Sequence, residues 1–276
     1  MNEVELYEFD RQGYIIIEEL LTPEEVGSLS AAIDALEEDA LENVDKPPRK
    51  KSGWGAEYHQ NRDKGYHASG SNDEGATLII EDYWNADPAF DALLGHEATM
   101  EYAHAVIQGR PTINNSEIRI RYRGNQSGNH GSGAREANGK YRYNFNSHGI
   151  DCMMVRMVYF VHDVSNEQGA FCVVPGTHKG NVPCPYGNDP DVEPGVVGLE
   201  VKAGDAVFFT ESLRHGGLTN RSDQVRKTLH VGYGPHFMMS QNIATMDELP
   251  YITDETKGRL TADQFALFRP YPESDA

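Results

Sequence analysis

Three side chains in the middle and later part of the chain have the types and spacing for metal and carboxylate chemistry: His130, His215 and Arg226. A neutral imidazole is a common ligand for a divalent cation. A guanidinium fork pairs with a carboxylate through two parallel hydrogen bonds. Gly204-Asp205 is a turn signal that feeds the apolar run 206–209, and Leu213-Arg214-His215-Gly216-Gly217 follows it. A strand there delivers His215 near one end of a barrel, and the next strand returns Arg226 to the same cavity. Thr228 stands two residues beyond Arg226 and shares its face, so its hydroxyl can add a bond to the same carboxylate. A core histidine beside a surface arginine fits the same spacing, and spacing alone does not choose between the two.

The elements around these residues read as strands preceded by helices. Ile118, Ile120 and Tyr122 alternate with Arg119, Arg121 and Arg123, the period of a half-buried strand. The runs 152–161, 171–174, 196–201, 206–209 and 228–233 are further strand candidates, and Pro175-Gly176 is a turn signal. Upstream, Tyr14-Ile15-Ile16-Ile17 reads as a strand. Thr22, Pro23 and Glu25 form a helix start with a capping box. Val26, Leu29, Ile33 and Leu36 then make one apolar stripe, and a second helical region covers about 88–108. Residues 43–75 are polar and aperiodic, as in a lid or binding loop. Helices first and many short strands later predict a mainly β (α+β) chain: a double-stranded β-helix, or jelly roll, with N-terminal helices packed on one side. One domain over 1–276 is expected, with a mostly helical part at 1–110, a jelly-roll core at 111–240 and an extension at 241–276.

Composition limits the partners. The 276 residues carry a net charge of -19, which argues against recognition through phosphates and so against a nucleic-acid partner. The exception is Lys46-Pro47-Pro48-Arg49-Lys50-Lys51, which reads first as a solvated basic loop and second as a clamp for an anion. No apolar stretch approaches the roughly 20 residues that span a bilayer, so no membrane partner is expected. The start Met1-Asn2-Glu3-Val4-Glu5 is acidic and unlike a secretory signal. Cys152, Cys172 and Cys184 are odd in number without metal spacing, which predicts reduced thiols and a cytoplasmic location. A small-molecule substrate is the expected partner, and oligomeric state is left open.

The segment Gln168-Gly169-Ala170-Phe171-Cys172-Val173-Val174-Pro175-Gly176-Thr177-His178-Lys179 resembles the "GG…PGSHK" segment of the phytanoyl-CoA dioxygenase family. The turn at Gly204, His215 and Arg226 fall at that family's spacing for its downstream iron histidine and its 2-oxoglutarate arginine. The opening from Gly13 to Val26 is similar to the family's N-terminal segment. The resemblance implies a cupin-like jelly roll that binds Fe(II), takes 2-oxoglutarate as cosubstrate and uses O2. It implies hydroxylation of an unactivated C–H bond of a small metabolite, with decarboxylation of 2-oxoglutarate to succinate.

In that family the upstream ligands form a His-x-Asp motif just after a strand. His130, behind the loop 124–129, sits where the family places the histidine, while His148 is the rival and reads as a pocket or supporting residue. Ser132 stands where the family's carboxylate belongs. Glu136 or Asp151 can complete the ligand set, or a water or anion fills the place, or a halide does, as in iron halogenases that resemble this fold. A metal-free jelly roll binding a small anion through Arg226 is the reading outside enzymes. Arg121, Tyr141 and Asn115 are expected near the cavity. His162, His230 and His236 are expected in satisfied structural roles, and His178 in a local hydrogen bond.

Overall fold

The computed structural model describes residues 1–44, 47–52, 55–131, 141–242, 244 and 250–268. Two antiparallel sheets carry the fold among them. The larger has nine strands in the order β1-β13-β10-β15-β6-β5-β4-β3-β2, built from β1 (Tyr14–Ile17), β2 (Lys50–Lys51), β3 (Glu57–Gln60), β4 (His67–Gly70), β5 (Thr77–Glu81), β6 (Pro111–Arg121), β10 (Val155–Phe160), β13 (Ala206–Thr210) and β15 (Arg226–Pro235). The smaller has the order β12-β11-β14-β7, from β7 (Ser127–His130), β11 (Phe171–Val174), β12 (Val197–Gly198) and β14 (Arg214–Gly217). A separate hairpin joins β8 (Tyr143–Asn146) to β9 (Gly149–Cys152). The jelly-roll expectation is met.

The apolar runs at β10 and β13 are continuous because both faces of the large sheet are covered. Met157, Tyr159, Ala206 and Phe208 point to a core under the helices α1 (Glu3–Gln12), α2 (Pro23–Asn43) and α3 (Glu97–Val106). There Phe9 of α1 meets Phe208 at 5.2 Å between ring centroids. Val158, Phe160, Val207 and Phe209 point the other way, into the space between the sheets, with Phe171 and Val173. Phe171 and Phe209 stand 5.0 Å apart across that space. The period-2 alternation of side chains thus assigns each strand residue to one of two cores.

The helix start at Thr22 is as expected: its hydroxyl accepts from the Glu25 N–H, and the Glu25 side chain returns to the Thr22 backbone. Leu29, Ile33 and Leu36 are buried, with Val26 partly so. Two readings need correction. The described part of 43–75 is not an open lid: β2, β3 and β4 add three strands to the edge of the large sheet. Arg49 lies 2.8 Å from His67 and Lys51 pairs with Glu57 at 2.7 Å, so the basic loop is tied to its neighbours. Strand β6 is buried on both faces rather than half-buried. Its isoleucines 118 and 120 enter the helix-side core while Arg119 and Arg121 line a cavity between the sheets. All three cysteines are free, with Cys152 and Cys172 buried.

Candidate metal and carboxylate site

Strands β7 and β14 pair so that His130 lies directly opposite His215, and the two rings sit 4.2 Å apart. Each imidazole is oriented by a backbone carbonyl two residues earlier. His130 Nδ1 lies 3.0 Å from the Gly128 carbonyl and His215 Nδ1 lies 2.7 Å from that of Leu213. A carbonyl only accepts, so Nδ1 carries the proton in each ring and both Nε2 lone pairs are left for a metal. Desolvation lowers both histidine pKa values, that of the buried His215 far below normal and that of the more exposed His130 less so, which favours neutral rings.

The third member is Glu211, in the turn between β13 and β14. One ligand atom each from His130, Glu211 and His215 lies within 4.8 Å of the others. Glu211 Oε1 is 3.9 Å from His215 Nε2, and its Oε2 accepts from Arg156 Nε at 2.6 Å. Arg156 also bonds Glu117 and reaches Asn115 Oδ1 at 2.7 Å. Two imidazoles and one carboxylate are the donor set of a facial triad that leaves positions open on iron. The residues present therefore fit Fe(II).

A cavity adjoins this cluster, with His130, His215, Arg119, Arg121, Arg156 and Arg226 in its wall. Arg226 is 2% exposed; it donates to the Gly169 carbonyl, and its Nε is buried without a partner. Burial, and then the neighbouring charge of Arg119, bring its pKa down to about 10. A buried cation with no acid beside it among the described residues calls for an anion. The carboxylate end of 2-oxoglutarate meets that need, so the cosubstrate fits as well.

The sequence expectations fare unevenly. His130, His215 and Arg226 come together at one cavity, as expected. Arg121 lines it too. Thr228 does not: its Oγ1 lies 3.0 Å from His230 Nε2 and 3.4 Å from the Arg119 carbonyl. His230 takes the place on the cavity wall that Thr228 was expected to hold. His148 is exposed at the tip of the β8–β9 hairpin, away from the cavity, so its expected pocket role is withdrawn. Asp151 is held by Arg142 at 3.0 Å and is not part of the metal cluster. Ser132 and Glu136 lie outside the described residues. Tyr141 stands close to Glu211, and burial followed by that charge raises its phenol pKa; its hydroxyl donates to Gln241 at 3.3 Å. Among the remaining histidines, His162 accepts from the Lys227 N–H and is structural, as expected. His178 is bonded to Asp10 O across the fold rather than locally.

Glu211 was missed, although the sequence carries a signal for it. Val207 and Phe209 face the inter-sheet space, and continuing that alternation by one step reaches Glu211. An acid that extends an apolar face just before the histidine strand is costly unless it has a cation to meet.

Residues 139–228 match the family model described as Phytanoyl-CoA dioxygenase (PhyH), a span that contains Glu211, His215 and Arg226 and begins after His130. No curated protein matches the chain. Among solved structures, HygX from Streptomyces hygroscopicus with nickel and 2-oxoglutarate bound aligns at a TM-score of 0.67 and 18% identity, covering 94% of this chain and 94% of its own. The same protein with nickel, 2-oxoglutarate and hygromycin B bound aligns at 0.69 and 18%, covering 94% and 95%. SnoK, described as a non-heme alpha ketoglutarate dependent carbocyclase from nogalamycin biosynthesis, aligns at 0.56 and 20%, covering 95% and 91%. No described helix is long and apolar enough to cross a membrane. The chain is thus similar over 139–228 to the Phytanoyl-CoA dioxygenase (PhyH) family model, and it shares its jelly-roll fold over nearly its whole length with a protein whose structure holds nickel and 2-oxoglutarate.

Proposed function

We propose that the chain hydroxylates an unactivated C–H bond of a small metabolite, with His130, His215 and Glu211 holding Fe(II) and Arg226 holding the far carboxylate of 2-oxoglutarate. The observation that carries this reading is the meeting of those three ligand atoms within 4.8 Å, beside a cavity that also contains Arg226. When bound, iron and 2-oxoglutarate supply with O2 the oxidising power for C–H cleavage, at the expense of cosubstrate decarboxylation to succinate. The protein's own part is placement. The Gly128 and Leu213 carbonyls fix the imidazole tautomers, Arg156 fixes the carboxylate, and Arg226 fixes the cosubstrate's orientation. Phe171 and Phe209 wall the site with apolar surface that keeps water out.

Glu211 favours hydroxylation over halogenation, because it offers an acid from a position other than the one next to His130. A halide is then not needed to complete the ligand set. The neighbour named a carbocyclase supports the view that this fold hosts other outcomes. HygX with hygromycin B bound supports a small-molecule substrate.

The test is anaerobic Fe(II) titration followed by succinate release in air, on the native chain and on E211A. Native iron affinity with 2-oxoglutarate turnover is expected, and both should fall sharply in E211A. A native chain with no iron affinity and no succinate would leave a metal-free binder of small anions. Products that change when chloride is added would restore the halogenase.

A further inference from the structure

We infer that Arg121 is a second guanidinium for the distal carboxylate of the cosubstrate, so that two arginines grip it and select for dicarboxylates. The inference rests on the proposed oxygenase function and deepens it. Arg226 and Arg121 are direct cross-strand partners in the β15–β6 ladder. Both line the same cavity, and partners of this kind stand roughly 5 Å apart at Cβ. Both are buried, at 2% and 7% exposure.

No described acid pairs with either of them. Arg121 donates to Asn125 Oδ1 at 2.9 Å and Arg226 to the Gly169 carbonyl, both neutral acceptors. The Nε–H of each is buried and unpartnered. No acid is among the described residues in the cavity wall, and Glu117 and Glu211 pair with other arginines: Glu117 with Arg119 and Arg156, and Glu211 with Arg156. Like charges placed opposite each other in a sheet repel, and desolvation adds to the cost. One carboxylate between the two forks relieves both effects. A 2-oxo acid without a distal carboxylate would leave the pair facing each other uncompensated.

The experiment uses the nickel-loaded chain, which holds the metal position without turnover. Calorimetry compares 2-oxoglutarate with 2-oxobutyrate on the native chain, R121M and R121K. Native protein should strongly prefer the dicarboxylate. R121M should lose roughly 10- to 100-fold in 2-oxoglutarate affinity while 2-oxobutyrate affinity is unchanged, and R121K should fall between. Ligand-free R121M should melt no lower than native, since a buried like-charge contact is gone, yet 2-oxoglutarate should raise its melting temperature less. A purely structural Arg121 would give the reverse: a lower ligand-free melting temperature with the dicarboxylate preference intact, and that result overturns the inference. If R121M does not fold, an R121K chain with native preference overturns it equally. A native chain that binds neither acid removes the oxygenase reading itself, which separates that failure from this one.

Discussion

Arg156 Nε donates to Glu211 Oε2 at 2.6 Å, and so turns the other carboxylate oxygen toward His215. The acid reaches the metal position from a turn rather than from a strand, and this guanidinium holds it there. Partners that orient metal ligands typically contribute 10- to 100-fold to metal affinity. R156M is therefore expected to weaken Ni(II) binding by about that factor. It should also lower the melting temperature, because Glu117 and Glu211 lose a buried counter-charge, a change on the order of a few kcal/mol. R156K keeps the charge without the fork and should be intermediate. Calorimetric titration with thermal melts checks both, and native metal affinity in R156M would dismiss the positioning role.

The two imidazoles should bind metal at a pH where ordinary histidines have begun to protonate. Protons compete with metal for Nε2. Desolvation lowers both pKa values from 6.5, most strongly at the buried His215, so its neutral ring persists below that pH. Ni(II) affinity should hold through the ordinary histidine pKa of 6.5 and decline only in more acidic solution. A decline that starts above pH 6.5 would contradict the desolvation.

Much of this arrangement is legible in the residues, and the rest is hidden for physical reasons. His215 and Arg226 can be found because a turn, an apolar strand and a glycine pair mark where they must stand. His130 follows from the loop after β6. The role of β6 itself is obscured by its own pattern. Arginine alternating with isoleucine reads as a solvent face, and only the opposing sheet shows that Arg119 and Arg121 are enclosed. Residues 47–75 look aperiodic because β2, β3 and β4 are two to four residues long, too short to display a period. Thr228 illustrates a further limit. Face alternation places it correctly, but His230, two residues on and on the same face, takes its hydroxyl.

His178 should make the fold sensitive to acid. Its Nε2 donates to the Asp10 carbonyl at 3.1 Å, its ring stacks edge-on against Tyr143 at 4.5 Å, and its Nδ1 is buried without a partner. Burial lowers its pKa to about 4, against 6.5 when exposed. Between those values the unfolded chain binds the proton and the folded chain does not. Stability is thus complete above pH 6.5 and declines as pH falls toward 4, by up to about 3 kcal/mol. H178Q should flatten that part of the profile. Denaturant unfolding at pH 7 and pH 4.5 measures the difference, and identical slopes for the two chains would dismiss the assignment.

Gly131 ties backbone conformation to metal geometry. Its φ is +73°, which a side chain tolerates poorly. A Cβ there would stand 2.7 Å from the Leu213 carbonyl, the group that holds His215 Nδ1, and 3.3 Å from the Glu211 carbonyl. G131A should therefore cost about 1–3 kcal/mol in strain and also displace His130 from His215 and Glu211. Gly27 is the control: it lies inside α2 with open space around its Cβ position, so G27A should stabilise by about 0.5–1 kcal/mol and leave metal binding alone. Both chains are checked by denaturant unfolding and Ni(II) titration. The two readouts separate the effects, because strain alone would lower stability without weakening the metal. A G131A chain that is less stable but binds nickel as tightly as native would show that this backbone carbonyl does not set the metal geometry.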